Sequence, residues 1–313
     1  MKQIYLWIKP YLRWVIFGGT VFFLLKSFKD NWQEVVEIKL TSLEWHYLAI
    51  AFLVTTIAHL FSGSVWILIL KAFKQSIEWP WGLRVYLKTN IAKYLPGNVW
   101  HFYGRVVALK NRGNSLTIAS ISVLVEPLLI AATALMIALA GFASGNLSSD
   151  DLLINEWLKG FLLLMLGGIL ICIHPRILNP ILKFLNKIKG IRNDSQLVQI
   201  DFYPWLPVLS AMAFLILRGV GFIFALLAFM PVHVNQLILV LSVFTLAWLL
   251  GLVIPGAPGG IGVFETTALT FLEPEFPIGL LLSALAIFRV ISISAEVTGA
   301  ALAVISEHKI FQK

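Results

Sequence analysis

Charge is what this sequence has least of. Only 13% of its 313 residues are Asp, Glu, Lys or Arg, about half the share found in soluble globular domains. A single cysteine, Cys172, excludes an internal disulfide; it sits in the apolar run GGILICIHP and reads as a small packing residue. No P-loop, no GxGxxG after a strand, no His/Cys metal spacing and no GxSxG elbow occurs. No metal and no cofactor is therefore expected. The cytoplasmic connection 174–204 is too short for a catalytic fold, so an enzyme is not expected either. A membrane-embedded base at Glu265 or Glu126 is the one enzymatic alternative.

What is present is apolar. The hydrophobic share is 59% and the mean hydropathy +0.87. The apolar residues come in long blocks, and about 20 of them in a helix cross the hydrocarbon. The expectation is an all-α polytopic membrane bundle, one domain over 1–313, with eight spans. They fall near 11–28, 47–70, 116–140, 157–173, 205–230, 234–254, 259–273 and 278–305. The first block lacks a small-residue cleavage site and reads as a retained span.

The net charge of +8 would suggest nucleic acid in a soluble protein. Here the basic residues lie between apolar blocks, which excludes that partner and sets topology instead. Residues 71–112 hold eight: Lys71, Lys74, Arg84, Lys88, Lys93, Arg105, Lys110 and Arg112. The 1–13 and 174–204 segments are also basic, whereas 141–156 and 231–235 contain no Lys or Arg. The expected location is the cytoplasmic membrane with both termini inside. Trp45, Trp79, Trp81, Trp157 and Trp205 stand near span ends as interfacial anchors.

Two stretches do not suit a simple bundle. TNIAKYLPGNVWHFYGRVVAL, 89–109, is interrupted at Pro96-Gly97-Asn98. GLVIPGAPGGIGVFETTAL, 251–269, packs Pro255, Gly256, Pro258, Gly259, Gly260 and Gly262 ahead of Glu265. Proline removes a donor and glycine frees φ, so neither is one continuous helix. The first is either a re-entrant segment or an amphipathic helix on the cytoplasmic face. The second is either a tight interspan loop or a cradle whose N–H groups receive a lipid phosphate. Each carries Pro-Gly after an aliphatic residue, one in each half, and paired interruptions point to a transporter's binding site. The span count puts both on the cytoplasmic side, which suits a parallel repeat better than an inverted one.

Glu126, Arg218, Glu265, Arg289 and Glu296 lie inside apolar blocks. A charge at mid-bilayer costs about 2.5–3.5 kcal/mol on insertion scales, so each needs a partner or water. Arg289 with Glu265 is the expected ion pair. Arg289 and Glu296 share a helix face but stand about 10 Å apart along the axis, so they line a common seam without pairing. The guanidinium fork makes Arg218 and Arg289 the candidates for a phosphate. His59 and His101 read as hydrogen-bonded core histidines.

The strings IPGAPGGIGVFE (254–265) and AKYLPGNVW (92–100), with Arg289 in the final span, resemble the lysylphosphatidylglycerol synthase transmembrane family. This is the flippase-like membrane domain of the bacterial multiple peptide resistance factor, and related domains occur in archaeal dolichyl-phosphate glycosyltransferases. The resemblance covers nearly the whole chain. It implies movement of an anionic or polyprenyl-linked membrane lipid between leaflets, or a non-catalytic subunit that scaffolds a lipid-modifying enzyme or glycosyltransferase. The separate soluble aminoacyl-transferase domain is not expected here. The residues it points to are Pro96, Gly97, Pro255, Pro258, Gly259, Gly260, Gly262, Glu265 and Arg289.

Overall fold

The computed structural model describes residues 29, 42–94, 99–144, 156–180, 199–254 and 258–311. The expected span at 11–28, together with Pro96, Gly97 and Pro255, lies outside them. The principal helices among the described residues are α1 (Ser42–Ala72), α2 (Trp79–Asn90), α3 (Trp100–Asn111), α4 (Leu116–Ala143), α5 (Glu156–Ile173), α6 (Trp205–Leu227), α7 (Leu237–Val253), α8 (Val263–Leu272) and α9 (Ile278–Phe311). No strand occurs among the described residues.

Local chemistry sets several boundaries. Ser115 caps α4, its hydroxyl accepting from the Thr117 N–H at 3.1 Å. Pro80 stands in the first turn of α2, where its missing N–H costs nothing. α7 stops at Ile254, which is extended (φ −72°, ψ 117°), as a residue ahead of proline prefers.

Among the described residues, five helical stretches are long and apolar enough to cross a membrane: Ser42–Ala72, Leu116–Ala143, Trp205–Leu227, Val234–Val253 and Ile278–Glu307. Their outward faces carry exposed Leu53, Ile57, Leu128, Leu209 and Val297, as a hydrocarbon solvent requires. α8 differs from the expected span at 259–273. Val263–Leu272 has ten residues, about 15 Å of helix and half the hydrocarbon thickness. The preceding break takes up the rest of the apolar run.

α1 and α6 run antiparallel through the centre. Ser210 Oγ donates to Phe61 O at 2.9 Å. A Cβ on Gly221 would lie 2.4 Å from Thr55 Oγ1 and 3.3 Å from Ala51 O. Small residues at this crossing let the backbones approach, which is how helices associate when lipid supplies no hydrophobic drive. Lys74 pairs with Asp201 at 2.8 Å at one end of this axis. The other end holds the start of α7, where Gln236 Nε2 donates to Glu275 Oε2 at 3.1 Å.

Four helices form two hairpins. α2 and α3, with twelve residues each, close at their base through Arg112 and Glu78 at 2.6 Å. That base lies beside the end of α1. α7 and α8 close at the Gln236–Glu275 end. The hairpins thus open toward opposite ends of the bundle, and their tips meet. A Cβ on Gly259 would lie 2.7 Å from the Tyr94 ring. This corrects the parallel arrangement expected from counting spans: α8 turns back before crossing, so the pair is inverted. The first interrupted segment is likewise no surface helix, since His101, Arg105 and Leu109 on α3 are buried.

Candidate functional site

The meeting of the two tips leaves a cavity of about 380 Å³. It lies near the middle of α1, α6 and α9, and its polar wall is built from three carboxylate clusters.

The first cluster centres on Glu296 of α9, which is 3% exposed. Lys93, in the one-turn 3₁₀ helix Ile91–Tyr94 at the tip of the first hairpin, donates to Glu296 Oε1 at 2.6 Å. Arg218 Nη1 from α6 stands 3.6 Å from the same oxygen, and His59 Nε2 from α1 is 3.5 Å away. Arg218 Nη2 donates to Ser292 Oγ at 3.0 Å. The cluster is incompletely satisfied. Glu296 Oε2, Arg218 Nε and His59 Nε2 are all buried without a hydrogen-bond partner. Leaving such atoms unpaired costs about 1–3 kcal/mol each, more for charged groups, and native interiors seldom tolerate it. Around this one carboxylate, Arg218 Nε lacks an acceptor and Glu296 Oε2 lacks a donor.

The second cluster is closed. Arg105 Nη1 donates to Glu126 Oε2, and Tyr86 OH donates to Glu126 Oε1 at 2.8 Å. Ser62 Oγ lies 2.6 Å from Tyr86 OH. The Arg105 guanidinium lies over the Tyr86 ring at 4.5 Å, a further attraction for a desolvated cation. This network braces α1, α2, α3 and α4, and its geometry is that of a strut.

The third cluster holds the glycine break in shape. Arg289 Nε donates to Glu265 Oε1 at 2.6 Å, and Arg289 Nη1 donates to Gly259 O at 3.1 Å. Glu265 Oε2 accepts the Gly262 N–H at 2.7 Å. The expected pair is therefore formed, and it does a further job. The start of α8 favours an anion, but the protein's own carboxylate fills that position. The Gly262 donor of the anticipated phosphate cradle is taken. Gly259 (φ +62°) and Gly260 (φ +73°) are left-handed, and a Cβ on Gly260 would lie 3.1 Å from Gly251 Cα. Glycine is required there by the backbone itself. Pro258 opens the short 3₁₀ turn Pro258–Gly260.

Four phenylalanines lock this wall in place. Phe222, Phe244, Phe264 and Phe288 come from α6, α7, α8 and α9, with Phe222–Phe288 centroids 5.2 Å apart and Phe244–Phe264 centroids 5.5 Å apart. Arg289 lies 5.5 Å from the Phe264 centroid.

The sequence pattern described as the lysylphosphatidylglycerol synthase TM region matches residues 12–296, most of the chain. The protein belongs to the lysylphosphatidylglycerol synthase transmembrane family. No curated protein matches it. The family match runs through all three clusters and ends at Glu296.

In this family member the structure brings Arg218, Gly259, Gly260 and Arg289 to the cavity wall. Gly262 and Glu265 stand behind Arg289 as its support. Lys93, Tyr94, His59 and Glu296 are site residues that sequence reasoning did not select. The signal existed for two of them: Glu296 is a carboxylate in an apolar helix, and Lys93 is a cation in an interrupted apolar segment.

Proposed function

We propose that the chain moves a lipid between leaflets by receiving its phosphate beside Glu296. The observation that carries this reading is the shared carboxylate. Lys93 and Arg218 both face Glu296 Oε1, so one buried carboxylate answers two cations. A lipid phosphate supplies the missing anion and an acceptor for Arg218 Nε, while Glu296 Oε2, itself an acceptor, takes a donor from elsewhere on the headgroup. The lipid is anionic or polyprenyl-linked, and its tail stays in the bilayer.

The hairpins supply the route. Each opens to a different end, and each tip seals the cavity against the other. Displacing the 91–94 tip exposes Glu296 toward the Lys74–Asp201 end. Displacing the 258–260 tip exposes it toward the Gln236–Glu275 end. Broken elements meeting at mid-depth suit such alternating access. By the distribution of Lys and Arg, the Lys74–Asp201 end is cytoplasmic.

The test is leaflet exchange in liposomes reconstituted with the full chain. Labelled phosphatidylglycerol should become accessible from outside at least tenfold faster than in protein-free liposomes. Rates no faster than in protein-free liposomes for every lipid in a panel of phosphate-bearing lipids would reject translocation.

A further inference from the structure

Both tips are fastened to α9, at points two turns apart, and by different means. Arg289 Nη1 holds the 258–260 turn through the Gly259 carbonyl at 3.1 Å. Glu296 holds the 91–94 turn through the Lys93 ammonium at 2.6 Å. The difference bears on how the chamber opens, an inference that rests on the translocation reading. The 258–260 turn is tied backbone to backbone as well. A Cβ on Gly260 would lie 3.1 Å from Gly251 Cα, and one on Gly251 would lie 3.2 Å from Gly260 Cα. Moving this turn parts two backbones and breaks the Gly259 carbonyl bond at the same time.

The 91–94 turn is held by side chains. None of its four residues is buried, and its ionic fastening is replaceable on both sides. When Lys93 leaves, Glu296 keeps Arg218 at 3.6 Å. The Lys93 side chain is already 20% exposed, and it carries its charge toward the aqueous end where the first hairpin has its base. A buried ion pair is costly to break when one partner is stranded. Here Glu296 retains a cation and Lys93 regains water.

Tyr94 makes the seal. Its ring lies on the bare backbone of Gly259, where a Cβ would stand 2.7 Å from Cε1 and 3.1 Å from Cδ1. A glycine at φ +62° offers a flat seat that a side chain would fill. The Lys93 ammonium stands 5.2 Å from the Tyr94 ring centroid, so the ion pair and the ring contact belong to one short turn and are released together. The seat stays behind, held by Arg289.

We infer that the 91–94 turn is the first gate of the chamber to open, with Lys93 as its latch, Tyr94 as its seal and Gly259 as the fixed seat. The chamber therefore opens first toward the Lys74–Asp201 end.

The test reads access to the chamber without any lipid substrate. In a Cys172→Ser background, Ser292→Cys puts a thiol on the chamber wall, at a position only 2% exposed. A charged, membrane-impermeant thiol reagent is applied to sealed membrane vesicles of each orientation, with Lys74→Cys and His233→Cys proteins marking which end faces out. Tyr94→Ala, Lys93→Gln and Gly259→Ala, the last pushing the ring off its seat, should each speed labelling of the wall thiol by about tenfold or more. The gain should come from the Lys74–Asp201 end only, and Lys93→Arg, which keeps the charge, should label as its parent does. Folded Tyr94→Ala and Lys93→Gln proteins that label at the parent rate, or faster from both ends, would overturn the gate. Should Lys93→Gln or Gly259→Ala fail to fold, Tyr94→Ala decides. Lipid exchange by the wild type without the expected labelling pattern would overturn the gate and leave translocation standing. The expected pattern in a protein that exchanges no lipid would overturn translocation, and with it the gate's place on a route.

Discussion

Lys93 and Glu296 are 203 residues apart in the chain, yet the lysine Nζ lies 2.6 Å from the glutamate Oε1, joining the tip of the first hairpin to the last helix. Arg218 approaches the same oxygen at 3.6 Å, so the two partners of Glu296 are unequal to its loss. Glu296→Gln strands the buried Arg218 and the half-buried Lys93 and should lower stability by about 3–5 kcal/mol, the cost of breaking a buried pair. Lys93→Gln leaves Arg218 in place and should cost less, about 1.5–3 kcal/mol for a lost charged hydrogen bond. Thermal unfolding in detergent reads both, and equal losses would mean that Glu296 does not serve two cations.

Glu265 acts as a clasp between Arg289 and the Gly262 N–H. Glu265→Gln and Arg289→Gln should therefore be strongly non-additive. In a double-mutant cycle on melting, residues of one network couple by about 0.5–3 kcal/mol. Additive losses would show that the two side chains act independently.

Gly260 and Gly113 separate two costs of a glycine. Both have positive φ, but a Cβ on Gly113 meets nothing within 4 Å, whereas one on Gly260 meets the Gly251 backbone. Gly113→Ala should cost about 1–2 kcal/mol for the left-handed backbone alone. Gly260→Ala should cost clearly more, because two backbones must part. Similar losses for both variants would mean that α7 and the turn can separate freely.

Much of this was legible in the amino acids. Pro255 through Gly262 announces a break because no helix accommodates those residues. Glu265 and Arg289 announce a pair because neither charge is stable alone in an apolar block. What could not be read was depth. Hydropathy counts apolar residues but does not say where a helix turns back, so 259–273 looked like a span and α8 proved half of one. The inverted hairpins followed from that. Nor could Lys93 be matched to Glu296, since a contact between segments so distant is set by the tertiary crossing of α2 and α9 and not by any local period. The Gly262 donor illustrates a third limit: the residue type marks an anion site, but only the fold shows that Glu265 already fills it.

Orientation has its own check. His233 and Lys74 are exposed at opposite ends of the bundle. In a Cys172→Ser background, His233→Cys should react with an impermeant thiol reagent on intact cells. Lys74→Cys should react only after the membrane is permeabilised. The reverse pattern would invert the proposed direction of both hairpins.

The most direct measurement is the leaflet-exchange rate of a labelled anionic phospholipid in liposomes holding wild-type protein or Arg218→Gln. Both are to be reconstituted at equal amounts, with melting temperature recorded. Arg218 faces Glu296 and Ser292 and takes no part in the hairpin bases, so its loss should act on the phosphate more than on the fold. The account predicts wild-type exchange at least tenfold above protein-free liposomes, and Arg218→Gln reduced to that background while still folded. A folded Arg218→Gln protein that exchanges the lipid at the wild-type rate would contradict a phosphate site beside Glu296.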